Sequence, residues 1–143
     1  MKKLRNGLKK MRLFLDSSVL FSAVWSVTGA SAKIILLASE NKLKVIVSKN
    51  VVAEVESNVG KKLLQIYWPR LENLLAFLEV DKTTTDKKEL EKAKKVIIEK
   101  DAVILVDAKR NKVDILVTLD KKHFLQPKVY KFILDFVFAG FCS

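Results

Sequence analysis

Four short apolar runs with helical stretches between them constrain the fold of this chain more than any other feature. The runs lie at residues 12–15, 44–47, 78–80 and 115–118. They are short and compact rather than cleanly alternating, so they fit strands buried on both faces. The segments between them carry helical signals. Ile34, Leu37 and Ala38 recur at helical spacing within 30–40. Ser48 or Asn50 can cap a helix over 51–60, and Asp86 one over 87–99. Pro69 fits the first turn of a helix running to about residue 77. Asp101 opens a further helix to about residue 111. Strands alternating with helices predict an α/β fold with a mostly parallel sheet covered on both faces. The 143 residues suffice for one domain with a buried core. The expected division is a basic arm over 1–10 and a single domain over 11–143. Residues 128–138 read equally well as an edge strand or a terminal helix.

Acidic residues stand where these runs end and helices begin. Asp16 closes the first run, Asp120 follows the fourth, Asp101 opens a helix, and Glu54 lies in the helical stretch after the second run. In a parallel α/β sheet the carboxyl ends of the strands open on one crevice. Carboxylates gathered there repel one another unless a hard cation holds them, and Mg²⁺ or Mn²⁺ takes oxygen ligands. The pattern predicts a metal-dependent hydrolase. Each acid also has a plainer use. Asp16 and Asp101 suit helix caps, Glu54 a solvated helix face, and Asp120 a turn with Lys121.

The charge balance points to a substrate class. Lys and Arg number 27 against 16 Asp and Glu, a net charge of +11 with a pI near 9.8. Such an excess suits a polyanion, nucleic acid above all, or a Lys-rich solvated surface. One Cys and one His exclude an intramolecular disulfide and a zinc cluster, and the expected location is the cytoplasm. The basic start Met1-Lys2-Lys3-Leu4-Arg5 leads into no apolar signal segment. No stretch approaches the ~20 apolar residues of a membrane span, so no membrane partner is expected. A Walker A loop and a dinucleotide-binding glycine fingerprint are absent. Asp16-Ser17-Ser18-Val19-Leu20 lacks the second Asp of an Asp-x-Asp-x-Thr phosphatase motif.

Four motifs carry a family resemblance. Phe14-Leu15-Asp16-Ser17-Ser18-Val19-Leu20 resembles the opening motif of the PIN-domain nucleases. Ser48-Lys49-Asn50-Val51-Val52-Ala53-Glu54-Val55 resembles their second, a Glu on the helix after strand two. Lys100-Asp101-Ala102-Val103-Ile104-Leu105 looks like the third, an Asp near the start of a helix. Val113-Asp114-Ile115-Leu116-Val117-Thr118-Leu119-Asp120-Lys121 looks like the fourth, Thr-x-Asp after a strand. Order and spacing agree over residues 12–124. The resemblance implies a three-layer α/β/α sandwich with four to five strands, a site for Mg²⁺ or Mn²⁺, and single-stranded RNA as substrate. It implies Asp16, Asp101 and Asp120 as direct or water-bridged metal ligands. Glu54 would bind a second ion or orient the attacking water. Thr118 would fix a carboxylate through its hydroxyl, as Ser17 or Ser18 can do beside Asp16.

Many small members of that family are toxins of VapBC-type toxin–antitoxin pairs, which implies a homodimer silenced by a small antitoxin protein. Others act in RNA processing or decay. The alternative of a different class is a PIN-like module that binds RNA or protein without cutting, and the presence of all four acids argues against it. After Phe124 the chain departs from the family's usual ending, an apolar strand with a Thr-Pro-type turn and a short acidic helix.

Among the basic residues, Lys121 and Lys122 beside the site, with Lys61, Lys62 and Arg70 after the Glu54 helix, are the expected phosphate contacts. Tyr67-Trp68-Pro69-Arg70 can add to them, while Trp25 and Trp68 are expected in the core. Asp114 begins the fourth run, at the wrong end of the sheet. Asp107 lies six residues beyond Asp101, and a helix turning ~100° per residue points it elsewhere, at most as an extra ligand. His123 is expected on the surface.

Overall fold

In the computed structural model the described residues are 9–63, 65–120 and 140–142. Among them the chain runs β1 (Arg12–Leu15), α1 (Ser17–Trp25), α2 (Ala30–Ser39), β2 (Lys44–Ser48) and α3 (Lys49–Lys62). A 3₁₀ turn (Gln65–Tyr67) leads to α4 (Trp68–Leu75), β3 (Glu79–Asp81), α5 (Lys87–Ala93), α6 (Glu99–Arg110), β4 (Ile115–Val117) and β5 (Gly140–Cys142). The strands form one sheet in the order β3-β2-β1-β4-β5, and every neighbouring pair is parallel. Phe14 pairs with Ile46 on one side and with Leu116 on the other.

Adjacent strand residues point to opposite faces. In β1 Leu13, Phe14 and Leu15 are all buried, and in β2 every residue after Lys44 is. Helices therefore cover both faces, which is the three-layer α/β/α arrangement. The core between the layers includes Phe14, Leu20, Ile35, Ile46, Leu71, Leu105 and Leu116. Each such side chain stabilises by about 1.5–3 kcal/mol relative to exposure.

Local chemistry sets the helix starts. Asp16 caps α1 by accepting from the Ser17 N–H, Ser48 caps α3 by accepting from Val51, and Asp86 caps α5 by accepting from Lys88 and Glu89. Pro69 sits in the first turn of α4, where its missing N–H costs no hydrogen bond.

Two helices differ from the sequence expectation. The helix begun at Asp86 stops at Ala93 rather than running to residue 99. The next begins at Glu99 on an extended Ile98, which places Asp101 inside the first turn and not at the cap. Nothing local breaks the run, since it holds no Gly or Pro. Ala93 and Ile97 are both buried on the core, and the turn between them brings both there. Trp25 also departs from expectation. It is 59% exposed and stacks on Tyr67, ring centroids 5.9 Å apart, while Trp68 packs partly on the core.

Asp107, fully buried, takes part in a polar brace and not in the acid site. It accepts from Asn50 Nδ2 at 3.0 Å, Thr85 Oγ1 at 2.9 Å and Arg110 at 2.8 Å. Arg110 also donates twice to Asp81 Oδ2, and Asn111 adds a third bond there. Burial raises the Asp81 carboxyl, but bonds from Thr83, Arg110 and Asn111 outweigh it and hold the group well below the usual carboxylate range. The brace ties α6 to the first turn of α3, the end of β3 and the loop that follows it. Asp114 accepts from the Arg12 N–H at 2.8 Å, at the amino ends of β1 and β4 and so at the opposite end of the strands from Asp16.

Lys121, Lys122, His123, residues 128–138 and residues 1–8 of the basic arm lie outside the described residues. Among the described residues no single helix is long and apolar enough to cross a membrane.

Candidate active site

The chain passes from β1 outward to β2 and β3, then returns across the sheet to β4 on the other side of β1. Connections leave β1 and β4 in opposite directions, and a crevice opens at the carboxyl ends of those two strands. Asp16 directly follows β1, and Thr118, Leu119 and Asp120 directly follow β4. Strand order thus brings together two segments far apart in sequence.

A cavity of about 300 Å³ lies there, lined by Asp16, Ser17, Ser18, Phe21, Glu54, Asn58, Lys62, Lys100, Asp101 and Asp120. All four acids singled out from the sequence line it. From α3 it takes Glu54, Asn58 and Lys62, a stripe at i, i+4 and i+8. Val51, Val55 and Val59 form the buried stripe of the same helix. Asp101 and Lys100 come from the first turn of α6.

Asp16 is only 5% exposed and heavily bonded. Its Oδ1 accepts from Ser17 N at 2.7 Å and, at a longer 3.3 Å, from Ser17 Oγ. Its Oδ2 accepts from Thr118 Oγ1 at 2.8 Å and Ser18 Oγ at 3.0 Å. Thr118 Oγ1 in turn accepts from the Asp120 N–H at 2.9 Å, and Ser18 Oγ from the Leu119 N–H at 3.2 Å. The two hydroxyls therefore lock the turn after β4 onto the start of α1. Burial raises the Asp16 carboxyl above its ordinary value and the Glu54 charge adds to this, while the bonds from Thr118, Ser18 and Ser17 oppose it.

Glu54 is turned onto Lys100, whose Nζ lies 2.7 Å from Oε2. The hydrogen bond and charge of Glu54, with more distant help from Asp101 and Asp16, raise the Lys100 ammonium above its ordinary value. Among the described residues no three carboxylates stand close enough to close on one ion as placed. The donor chemistry still suits a hydrated hard cation. The lining acids are all oxygen donors, and Mg²⁺ keeps several waters, so few protein ligands suffice. The long Ser17 Oγ contact is the one on Asp16 that a cation would displace most easily.

Of the expected basic contacts, Lys62 lines the cavity and Lys61 is exposed outside its lining. Arg70 is elsewhere. Its guanidinium donates to the Ala23 carbonyl at 2.8 Å and lines an apolar groove between α2 and α4. Sequence reasoning missed Asn58 and the role of Lys100. Asn58 was findable, as the residue one turn beyond Glu54 on the same face. A larger cavity of about 760 Å³ lies beside α5 and α6, but its acids are engaged. Asp86 caps α5, Glu89 pairs with Lys109 at 3.0 Å, and Asp114 accepts from Arg12.

A family profile described as PIN domain matches residues 12–122. No curated protein matches the sequence. Among solved structures, a chain from the crystal structure of VapBC2 from Rickettsia felis, bound to a DNA fragment from their promoter, is similar with a TM-score of 0.69 and 19% identity. That match covers 93% of this chain and 100% of the other. PAE2754 from Pyrobaculum aerophilum is similar with a TM-score of 0.56 and 14% identity, over 90% of this chain and 98% of that one. At such identities these likenesses concern the fold alone.

Proposed function

The chain belongs to the PIN-domain family of nucleases, and from that premise we propose that it is a Mg²⁺- or Mn²⁺-dependent ribonuclease acting on single-stranded RNA. The observation that carries this reading is the gathering of Asp16, Glu54, Asp101 and Asp120 around one cavity at the switch point of the sheet. Asp16, Asp101 and Asp120 would hold the ion. When bound it supplies charge stabilisation at the scissile phosphate and a water acidic enough to attack at neutral pH. Thr118 and Ser18 hold Oδ2 of Asp16 in one orientation. Glu54, on the same cavity, would bind a second ion or orient the attacking water. Lys62 on the rim, with Lys61, Lys121 and Lys122, would contact phosphates, and the net charge of +11 supports a polyanionic substrate.

We place the protein in the cytoplasm as the toxin of a toxin–antitoxin pair, a homodimer held silent by a small antitoxin. The likeness to a VapBC2 chain supports this, and so does a groove lined by Val27, Ile35, Leu36, Leu74 and Phe77. Val27, Leu36 and Phe77 are each more than half exposed, an apolar surface suited to a protein partner.

The test is cleavage of a mixed set of single-stranded RNAs. Cutting is expected with Mg²⁺ or Mn²⁺ and should stop with EDTA. Tight binding without cutting under either metal would overturn the reading in favour of a non-cleaving module. Two variants probe the parts. Thr118→Val keeps the side-chain shape but removes a donor to Asp16 and the acceptor of the Asp120 N–H. A loss of about ten- to hundredfold in Mn²⁺ affinity or activity is expected, and wild-type values would remove Thr118 from the site. Lys121→Ala with Lys122→Ala is expected to weaken RNA binding and flatten its dependence on salt, by a slope change of up to about 2. An unchanged slope would exclude both lysines from phosphate contact.

A further inference from the structure

We propose that Lys100 is a built-in counterion of the acid cavity, competing with the divalent cation for Glu54, so that metal binding has to displace it. The inference rests on the metal-dependent reading above.

Lysine is the wrong charge for its position. It occupies the first turn of α6, where the partial positive charge of the helix start disfavours a cation and favours the neighbouring Glu99 and Asp101. What accommodates Lys100 there is the cavity. Its ammonium reaches across to α3, 2.7 Å from Glu54 Oε2, and lines the same space as Asp16, Asp101 and Asp120. A cation is already supplied where four carboxylates face one another. With Glu54 so engaged, no three carboxylates among the described residues close on one point. The ammonium is also free to leave. Lys100 is 67% exposed while Glu54 is 22% exposed, so the lysine swings on a flexible stem and the carboxylate stays in the cavity. An exposed pair of this kind shifts an equilibrium by no more than about fivefold, enough to set a threshold and too little to block the site.

The experiment is titration of the full chain with Mn²⁺, by calorimetry or by the paramagnetic signal of free Mn²⁺. Lys100→Gln is expected to bind Mn²⁺ about three- to fivefold more tightly than wild type, and Lys100→Arg to return to the wild-type value. In a Glu54→Gln background the gain from Lys100→Gln should vanish, because the competition is for that carboxylate. If Lys100→Gln binds as wild type does while Asp16→Asn loses Mn²⁺, the metal site stands and the proposal is overturned. A gain that persists without Glu54 also overturns it, since that is a field effect of charge and not competition at one ligand. If no form of the protein binds Mn²⁺, the metal reading and this inference fall together.

Discussion

Asp16→Asn is expected to reduce metal-dependent RNA cleavage by on the order of a thousandfold or more while leaving the fold intact. The two halves of that expectation have separate physical grounds. The fold is spared because Asn retains Oδ1, which accepts from the Ser17 N–H and caps α1. At the other position an amide replaces Oδ2, turning an acceptor into a donor. Thr118 and Ser18 hydroxyls face it, and each has acceptor capacity to turn toward an amide. The chemistry is lost because the substitution removes the charge from a carboxyl that already sits where burial and Glu54 disfavour it. On the proposed metal-dependent reading a divalent cation would compensate that charge, and an amide would offer it a much weaker ligand. Single-turnover cleavage of single-stranded RNA, read beside thermal unfolding, checks both halves. Near wild-type cleavage by a folded Asn variant would remove Asp16 from the site. Loss of cleavage together with unfolding would mean the cap matters more than the charge.

Asp107→Ala should be strongly damaging although it lies outside the cavity, lowering stability by about 3 kcal/mol and the unfolding midpoint by about 10 °C. Asp107 is wholly buried, and its removal deprives Asn50, Thr85 and Arg110 of one shared acceptor. Arg110 keeps its bonds to Asp81, which holds the loss below that of a fully orphaned buried charge. Asp107→Asn, which retains one acceptor oxygen, should cost less. Denaturant unfolding measures the difference directly, and a loss below about 1 kcal/mol would show that the brace contributes little. The brace also bears on the cavity, because it fixes α6, whose opposite end carries Lys100 and Asp101.

Much of this architecture was legible in the chain. The predicted strands fall within a residue or two of β1, β2, β3 and β4, because short apolar runs bounded by helical stretches have few other uses in an α/β sheet protein. Asp86, Ser48 and Pro69 announced helix starts because a cap acts on its own next few residues. The failures share a different cause. The break between α5 and α6 has no local signal and follows from burying Ala93 and Ile97 on the same core. Trp25 is exposed and stacks on Tyr67, a partner far along the chain that no local pattern names. Arg70 turned inward to a carbonyl of α1, a contact that no basic-residue pattern encodes.

The four acids, three of them beside a strand end or a helix start and Glu54 within the helix after the second strand, were determined by the sequence alone, since hydrophobic patterning and caps are local. The family motifs around them were equally plain. What only the tertiary structure decided is how those acids are occupied. Placing β4 beside β1 gives Asp16 the Thr118 hydroxyl, and bringing α3 against α6 gives Glu54 the Lys100 ammonium. Both contacts join residues distant in sequence, and hydrogen bonds and ion pairs act only at a few ångströms. The order in which strands and helices pack, not the order of residues, therefore selects the partners.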